Sequence, residues 1–173
     1  AQFLFFNSVN TFVSSGGQGA MGFELPADMG VQAGKPGTPV WTVAGDGGFQ
    51  MTLQELATVA NENLPVKIAL FNNGNLGMIR QWQEMYFENH FKAVPIPGPD
   101  YVGLAKAYGV EAMQVTELED VLPALRRARA HDGPFLIEFV VDPDANVFPM
   151  VPPGGGLADT LEAPRLQNGN RTA

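Results

Sequence analysis

The sequence predicts an α/β fold of three layers, with helices on both faces of a mainly parallel sheet. Two observations carry this. Short, mostly apolar runs at residues 40–44, 66–71, 111–115 and 134–141 alternate with stretches of helical periodicity. Such alternation buries parallel strands between helices. The first two runs also end in polar, glycine-containing turns, Gly45-Asp46-Gly47-Gly48 and Asn72-Asn73-Gly74-Asn75. In a right-handed crossover both turns fall beyond the strand C-termini at one sheet edge. Asp46 and Asn73, 27 positions apart, can therefore meet in space.

The elements follow in order. Residues 1–7 are aromatic-rich and are expected to pack on the core. Thr11-Phe12-Val13-Ser14 suits a short strand. A glycine-rich loop follows and leads into a helix reaching about Gln32, ended by Gly34-Lys35-Pro36-Gly37. After the strand at 40–44, residues 52–60 have helical spacing, and the strand at 66–71 comes next. Residues 76–87 read as a helix with Ile79, Trp82, Met85 and Tyr86 on one face. Residues 89–99 are a proline-rich loop. Asp100 N-caps a helix over 101–108, closed by Gly109. A strand at 111–115 precedes a helix over 117–130, whose Arg126, Arg127 and Arg129 suit the C-terminal end of the dipole. The last strand covers 134–141. Residues 1–145 thus form one domain, and 146–173 a Pro- and Gly-rich tail, either mobile or folded over the site.

Composition bounds the partners. With 173 residues, 45% of them hydrophobic, the chain can build one real core. A net charge of −8 makes nucleic acid and anionic membrane poor partners. Without cysteine there is no disulfide, thiolate nucleophile or Cys-metal site, and the cytoplasm is a compatible compartment. The apolar runs are too short to span a bilayer, and the start lacks the basic flank of a signal peptide. The start within an apolar stretch, without Met, reads as a fragment.

The paired turns have a chemical use. A carboxylate, an amide oxygen and a backbone carbonyl suit Mg²⁺, which takes few protein ligands and completes its octahedron with phosphate and water. Gly47 and Gly48 leave N–H groups free for a phosphate. Either turn alone reads as an ordinary polar turn; jointly, at crossover spacing after two strands, they point to a metal–diphosphate site. Gly17, Gly19 and Gly22 satisfy G-x-G-x-x-G, with Asp46 not far from where a dinucleotide site wants its acid. A non-catalytic dinucleotide-binding module is therefore one alternative, and close helix–sheet packing by these glycines is another. His90 and His131 are isolated and read as surface residues. No Ser-His-Asp set can be assembled.

Gly45-Asp46-Gly47 followed by Asn72-Asn73 resembles the thiamine diphosphate (ThDP) motif. Met51-Thr52-Leu53-Gln54-Glu55-Leu56, Gly77-Met78-Ile79-Arg80-Gln81-Trp82-Gln83 and Asn146-Val147-Phe148-Pro149-Met150-Val151-Pro152 resemble the large catalytic subunit of the acetolactate synthase family, in its C-terminal ThDP-binding domain. The resemblance implies an enzyme that decarboxylates pyruvate and transfers the two-carbon unit to a second 2-oxoacid, pyruvate or 2-oxobutyrate, in branched-chain amino-acid biosynthesis. It implies that Asp46, Asn73 and the Asn75 carbonyl hold Mg²⁺, and that Gly47, Gly48 and Asn73 hold the diphosphate. Gly19 would face the pyrimidine amino group, Met21 and Met78 would contact the cofactor, and Trp82 would shape the second-substrate pocket. The acid–base glutamate and the FAD site of the family lie in other domains, so this fragment carries no catalytic acid or base and is expected to be inactive alone. The resemblance further implies a homodimer or homotetramer and allows a regulatory small subunit. Another ThDP-dependent decarboxylase, oxidase or carboligase is the nearest alternative. Glu24 and Asp28 depart from the family pattern, standing where small residues are common.

Overall fold

A computed structural model describes residues 4–163. Four strands, β1 (Trp41–Gly45), β2 (Lys67–Asn72), β3 (Glu111–Val115) and β4 (Phe135–Val140), form one sheet in the order β1-β2-β4-β3. Every pairing is parallel, with Gly45 opposite Phe71 and Leu70 opposite Glu138. The helices are α1 (Glu24–Gly34), α2 (Asp46–Thr52), α3 (Leu56–Asn61), α4 (Gly77–Tyr86), α5 (Tyr101–Ala107) and α6 (Leu118–Ala130).

Each strand sends alternate side chains to opposite faces. On one face Ile68, Leu70 and Leu136 pack with Leu25, Phe49, Val59 and Tyr101 from the helices. On the other, Ala69, Phe135 and Ile137 pack with Ala124 and Ala128 of α6. These are the three layers expected from the alternating pattern. Asp100 caps α5, its Oδ1 accepting from the Gly103 N–H at 2.9 Å. Lys67 is buried at the N-terminal end of β2, and its ammonium donates to the carbonyls of His131 and Gly133. Burial pushes its pKa down, against the pull of Asp132.

Four expectations are corrected. Residues 11–14 form no strand, because they meet no sheet edge that could take up their backbone hydrogen bonds. Residues 4–7 are exposed rather than packed on the core, with Phe5 at 96%, and Phe6 pairs with Phe12, at 5.1 Å between ring centres; residues 1–3 lie outside the described range. The helix placed at 52–60 begins at Asp46 and breaks at Thr52 into a 3-10 turn, Leu53–Glu55, before α3. The low helix propensity of Gly47 and Gly48 is overridden by tertiary packing. Finally, the apolar stripe of α4 faces outward, while Gln81 is its buried residue. No described helix is long and apolar enough to cross a membrane.

Residues 142–163 turn back onto α4. Gln81 Oε1 accepts from the Val147 N–H at 2.8 Å, and its Nε2 donates to the Val147 carbonyl at 3.0 Å. Met150 and Leu161 exchange backbone hydrogen bonds and close the segment. Residues 164–173 of the predicted tail lie outside the described range.

Candidate cofactor and metal site

The two polar turns meet at the C-terminal edge of β1 and β2. Asp46 is only 3% exposed. Its Oδ1 accepts from the Gly47 N–H at 3.0 Å and its Oδ2 from the Gly74 N–H at 2.9 Å, which binds the first turn to the second. Asn73 Oδ1 accepts from the Asn75 N–H at 3.1 Å, and Asn75 Nδ2 donates to the Asn73 carbonyl at 3.0 Å. Gly74 has φ +65°, a conformation side chains other than glycine's rarely adopt. The turn is held from outside by Leu76 N–H to the Val94 carbonyl and Ile96 N–H to the Gly74 carbonyl, both 2.9 Å.

Burial raises the Asp46 pKa above its usual range; the N–H groups of Gly47 and Gly74 oppose this, and the Glu138 charge adds to it. Tyr101, whose hydroxyl accepts from Gln50 Nε2 at 2.9 Å, is pushed up to about 12 by burial and then by the Asp46 charge. A buried carboxylate held in this way favours a cation beside it.

A cleft of about 460 Å³ opens here. Asp46, Asn73 and Asn75 line it together with Gly47 and Gly48 of α2. Gly19 and Met21 reach it from the loop before α1, and Met78 from α4. Val43, Phe71 and Val141 supply an apolar wall. The cleft thus gathers every residue expected to hold cofactor or metal, but not Trp82, expected in the second-substrate pocket. Trp82 lies one turn beyond Met78 on α4, 41% exposed and edge-on to Tyr86 at 6.1 Å.

The site is shaped for close approach. A Cβ at Gly47 would meet Ile96 Cδ1 at 3.0 Å, with Leu76 Cδ2 and Met21 Cε both at 3.1 Å. Asp46 keeps lone pairs beyond the two hydrogen bonds it accepts. No group of three or more His, Cys, Asp or Glu side chains among the described residues could hold a metal. One carboxylate with amide and carbonyl oxygens fits a cation that completes its shell with phosphate and water.

Among the described residues no strand precedes the Gly17–Gly22 loop, unlike a dinucleotide fingerprint. Instead Ser15 folds it, its carbonyl accepting from Gly19 N–H at 2.6 Å and its Oγ from Ala20 N–H at 2.9 Å. Gly22 packs at the start of α1, where a Cβ would meet Met51 Cβ at 3.0 Å.

Two acidic residues were not predicted for the site. Glu24 lines the cleft, and its Oε1 lies where a Cβ on Gly48 would collide. Glu138 sits behind the Asn72 turn, bonded to Asn72 and Gln114. The signal for Glu138 was an acid inside the apolar run Leu136-Ile137-Glu138-Phe139-Val140.

Residues 1–139 match the family described as thiamine pyrophosphate enzyme, C-terminal TPP binding domain. The acetolactate synthase large subunit of Corynebacterium glutamicum is 47% identical over 165 residues, covering 92% of this chain and 26% of that protein. The acetolactate synthase isozyme 2 large subunit of Escherichia coli K12 is 39% identical over 163 residues, covering 94% of this chain and 30% of the relative. Among solved structures, the thiamine diphosphate-dependent 4-hydroxybenzoylformate decarboxylase of Rhodococcus jostii RHA1 aligns with a TM-score of 0.67 and 35% identity, over 72% of this chain and 24% of the other. The chain spans between a quarter and a third of the length of these curated relatives. With the family model covering most of its length, and with the motif residues gathered around one cleft, the chain belongs to the C-terminal, TPP-binding domain family of thiamine pyrophosphate enzymes.

Proposed function

We propose that the chain is the cofactor-holding domain of an acetolactate synthase-type enzyme, which decarboxylates pyruvate and passes the two-carbon unit to a second 2-oxoacid. The observation that carries the cofactor reading is the Gly74 N–H bond to Asp46 Oδ2, which joins the two motif turns at one cleft. On this reading Asp46, Asn73 and the Asn75 carbonyl hold Mg²⁺. Gly47, Gly48 and Asn73 hold the diphosphate, although the Gly47 N–H expected to be free is bonded to Asp46 Oδ1 and must leave it to reach a phosphate. Gly19, Met21 and Met78 orient the rings. When bound, ThDP supplies the carbanion chemistry that a protein side chain cannot. Val43, Phe71 and Val141 offer an apolar surface beside the bound rings. On the same reading the FAD site and the acid–base glutamate lie in other domains of the enzyme, the glutamate reaching this cleft from another subunit.

Calorimetry on the full-length protein tests the cation assignment. Asp46→Ala is expected to remove most Mg²⁺-dependent ThDP affinity, since the diphosphate loses its bridging ion. Unchanged affinity and unchanged Mg²⁺ dependence would remove Asp46 from the site.

We also assign Trp82 to the pocket for the second 2-oxoacid. The support is its place one helical turn beyond the cleft-lining Met78, with its ring partly exposed. One methylene in an apolar pocket is worth about 1–3 kcal/mol, or roughly 10–200-fold in discrimination. Trp82→Leu is therefore expected to reduce the preference for 2-oxobutyrate over pyruvate in a competition assay. A folded variant with an unaltered product ratio would exclude Trp82.

A further inference from the structure

Glu138 lies in β4, between β2 and β3, and is 3% exposed. An acidic side chain in the middle of a sheet is costly unless its oxygens are hydrogen-bonded. Both are engaged: Oε1 accepts from Asn72 Nδ2 at 2.7 Å, and Oε2 accepts from Gln114 Nε2 at 2.9 Å. The register explains the geometry. Glu138 stands opposite Leu70 on one side and Gln114 on the other, and Asn72 follows Leu70 by two residues on the same face.

Asn72 opens the second polar turn but is not among the proposed cation ligands. Its Oδ1 accepts from the Gly74 N–H at 3.0 Å, the same N–H that reaches Asp46 Oδ2. The amide is directional. A carboxylate offers only acceptors, so Asn72 must turn Nδ2 toward Glu138, which leaves Oδ1 for the turn. The glycine at the centre of that turn is conformationally permissive and does not fix its own geometry.

We propose that Glu138 is a positioning residue which, through Asn72, holds residues 73–75 so that Asn73 and Asn75 converge with Asp46 on one cation. The proposal rests on the Mg²⁺ reading above. The competing account is a buried polar cluster that serves only sheet stability. A polarity swap separates them. In the double variant Asn72→Asp/Glu138→Gln, the amide introduced at 138 donates to the carboxylate introduced at 72. That carboxylate still accepts from Gly74, and the Gln114 bond is kept. Total charge is unchanged.

The experiment uses the full-length protein and two readouts: the Mg²⁺ concentration that half-saturates ThDP binding, and hydrogen exchange at the Gly74 amide without cofactor. Asn72→Ala is expected to weaken Mg²⁺ by about 10–100-fold, the usual effect of losing a partner that orients metal ligands. Gly74 exchange should quicken, and saturating Mg²⁺ should restore cofactor binding. Glu138→Gln should act in the same direction, and the double variant should return Gly74 exchange close to the parent; its Mg²⁺ midpoint also senses the carboxylate placed beside Asp46, so exchange is the readout that decides there. If Glu138→Gln fails to fold, Asn72→Ala and the double variant still decide. An unchanged Mg²⁺ midpoint in folded Asn72→Ala overturns the proposal, as does a double variant whose Gly74 exchange is no slower than in the worse single one. Asp46→Ala is the control. Should it lose Mg²⁺ dependence while Asn72→Ala keeps it, the cation reading stands and the role of Glu138 falls. Should Asp46→Ala keep that dependence, the cation reading fails and the role falls with it.

Discussion

Glu24 sets a second carboxylate on the wall of a cleft that is to receive a diphosphate. Its Oε1 lies against Gly48, beside the first turn of α2. Two unit charges ~7 Å apart in a water-like dielectric repel by about 0.6 kcal/mol, roughly threefold in affinity. Glu24→Gln is therefore expected to tighten ThDP–Mg²⁺ binding by about that factor, with the fold intact. Titration calorimetry of parent and variant checks it; equal affinities would mean that the carboxylate turns away when the site fills. Single residues also show what the sequence could and could not reveal. Asp46 and Asn73 were legible because crossover topology dictates which turns share an edge. Glu24 was visible as a departure from the family pattern, but its contact with Gly48 depends on how α1 approaches α2. Asn72 looked like half of a turn motif. Its link to Glu138, 66 positions on, needed the pairing of β2 with β4.

At the scale of elements, strands and most helices were legible from apolar periodicity, and the exceptions have tertiary causes. The 11–14 run has strand composition but no ladder to join. The break at Thr52, with φ −135°, has no turn residue to announce it. The outward apolar face of α4 inverts the usual rule because the tail binds the inner side through a polar anchor. Gln81, 1% exposed, meets both backbone groups of Val147 and also has Nε2 at 3.2 Å from Met150 Sδ. The Arg80–Asp144 ion pair at 2.6 Å is a lesser hold, since the aspartate is exposed. Truncating one partner leaves buried polar groups unsatisfied at about 1–3 kcal/mol each. Gln81→Ala is thus expected to release residues 144–161 from α4 while the sheet stays folded. Hydrogen exchange should show the Val147 amide losing about tenfold or more in protection, with β2 and β4 unaffected. Equal protection at Val147 would show that other contacts hold the tail.

For the whole molecule, the two faces of the sheet are covered unequally among the described residues. One face lies under α1, α2, α3 and α5; the other is covered by α6 at β3 and β4. Val43 and Phe71, toward the β1 side of that second face, are exposed and continue into the cleft wall. The cleft is therefore walled on the cofactor-holding side and open beyond it. The acids that line it are Asp46 and Glu24. Asp46 is committed to the turn and the proposed cation, and Glu24 lies against Gly48. On the proposed reading neither is given an acid–base role toward the cofactor ring. Together with a span of only 26–30% of the relatives' length, this leads to a prediction about the 173-residue chain by itself. Supplied with ThDP, Mg²⁺ and pyruvate, it is expected to form no acetolactate above the uncatalysed background, and to bind the cofactor more weakly than the full-length enzyme. A colorimetric acetolactate assay on the purified chain, beside the full-length enzyme at equal site concentration, decides it. A rate approaching that of the full-length enzyme would place a complete set of acid–base groups inside these residues and overturn the reading of the cleft as one half of a shared site.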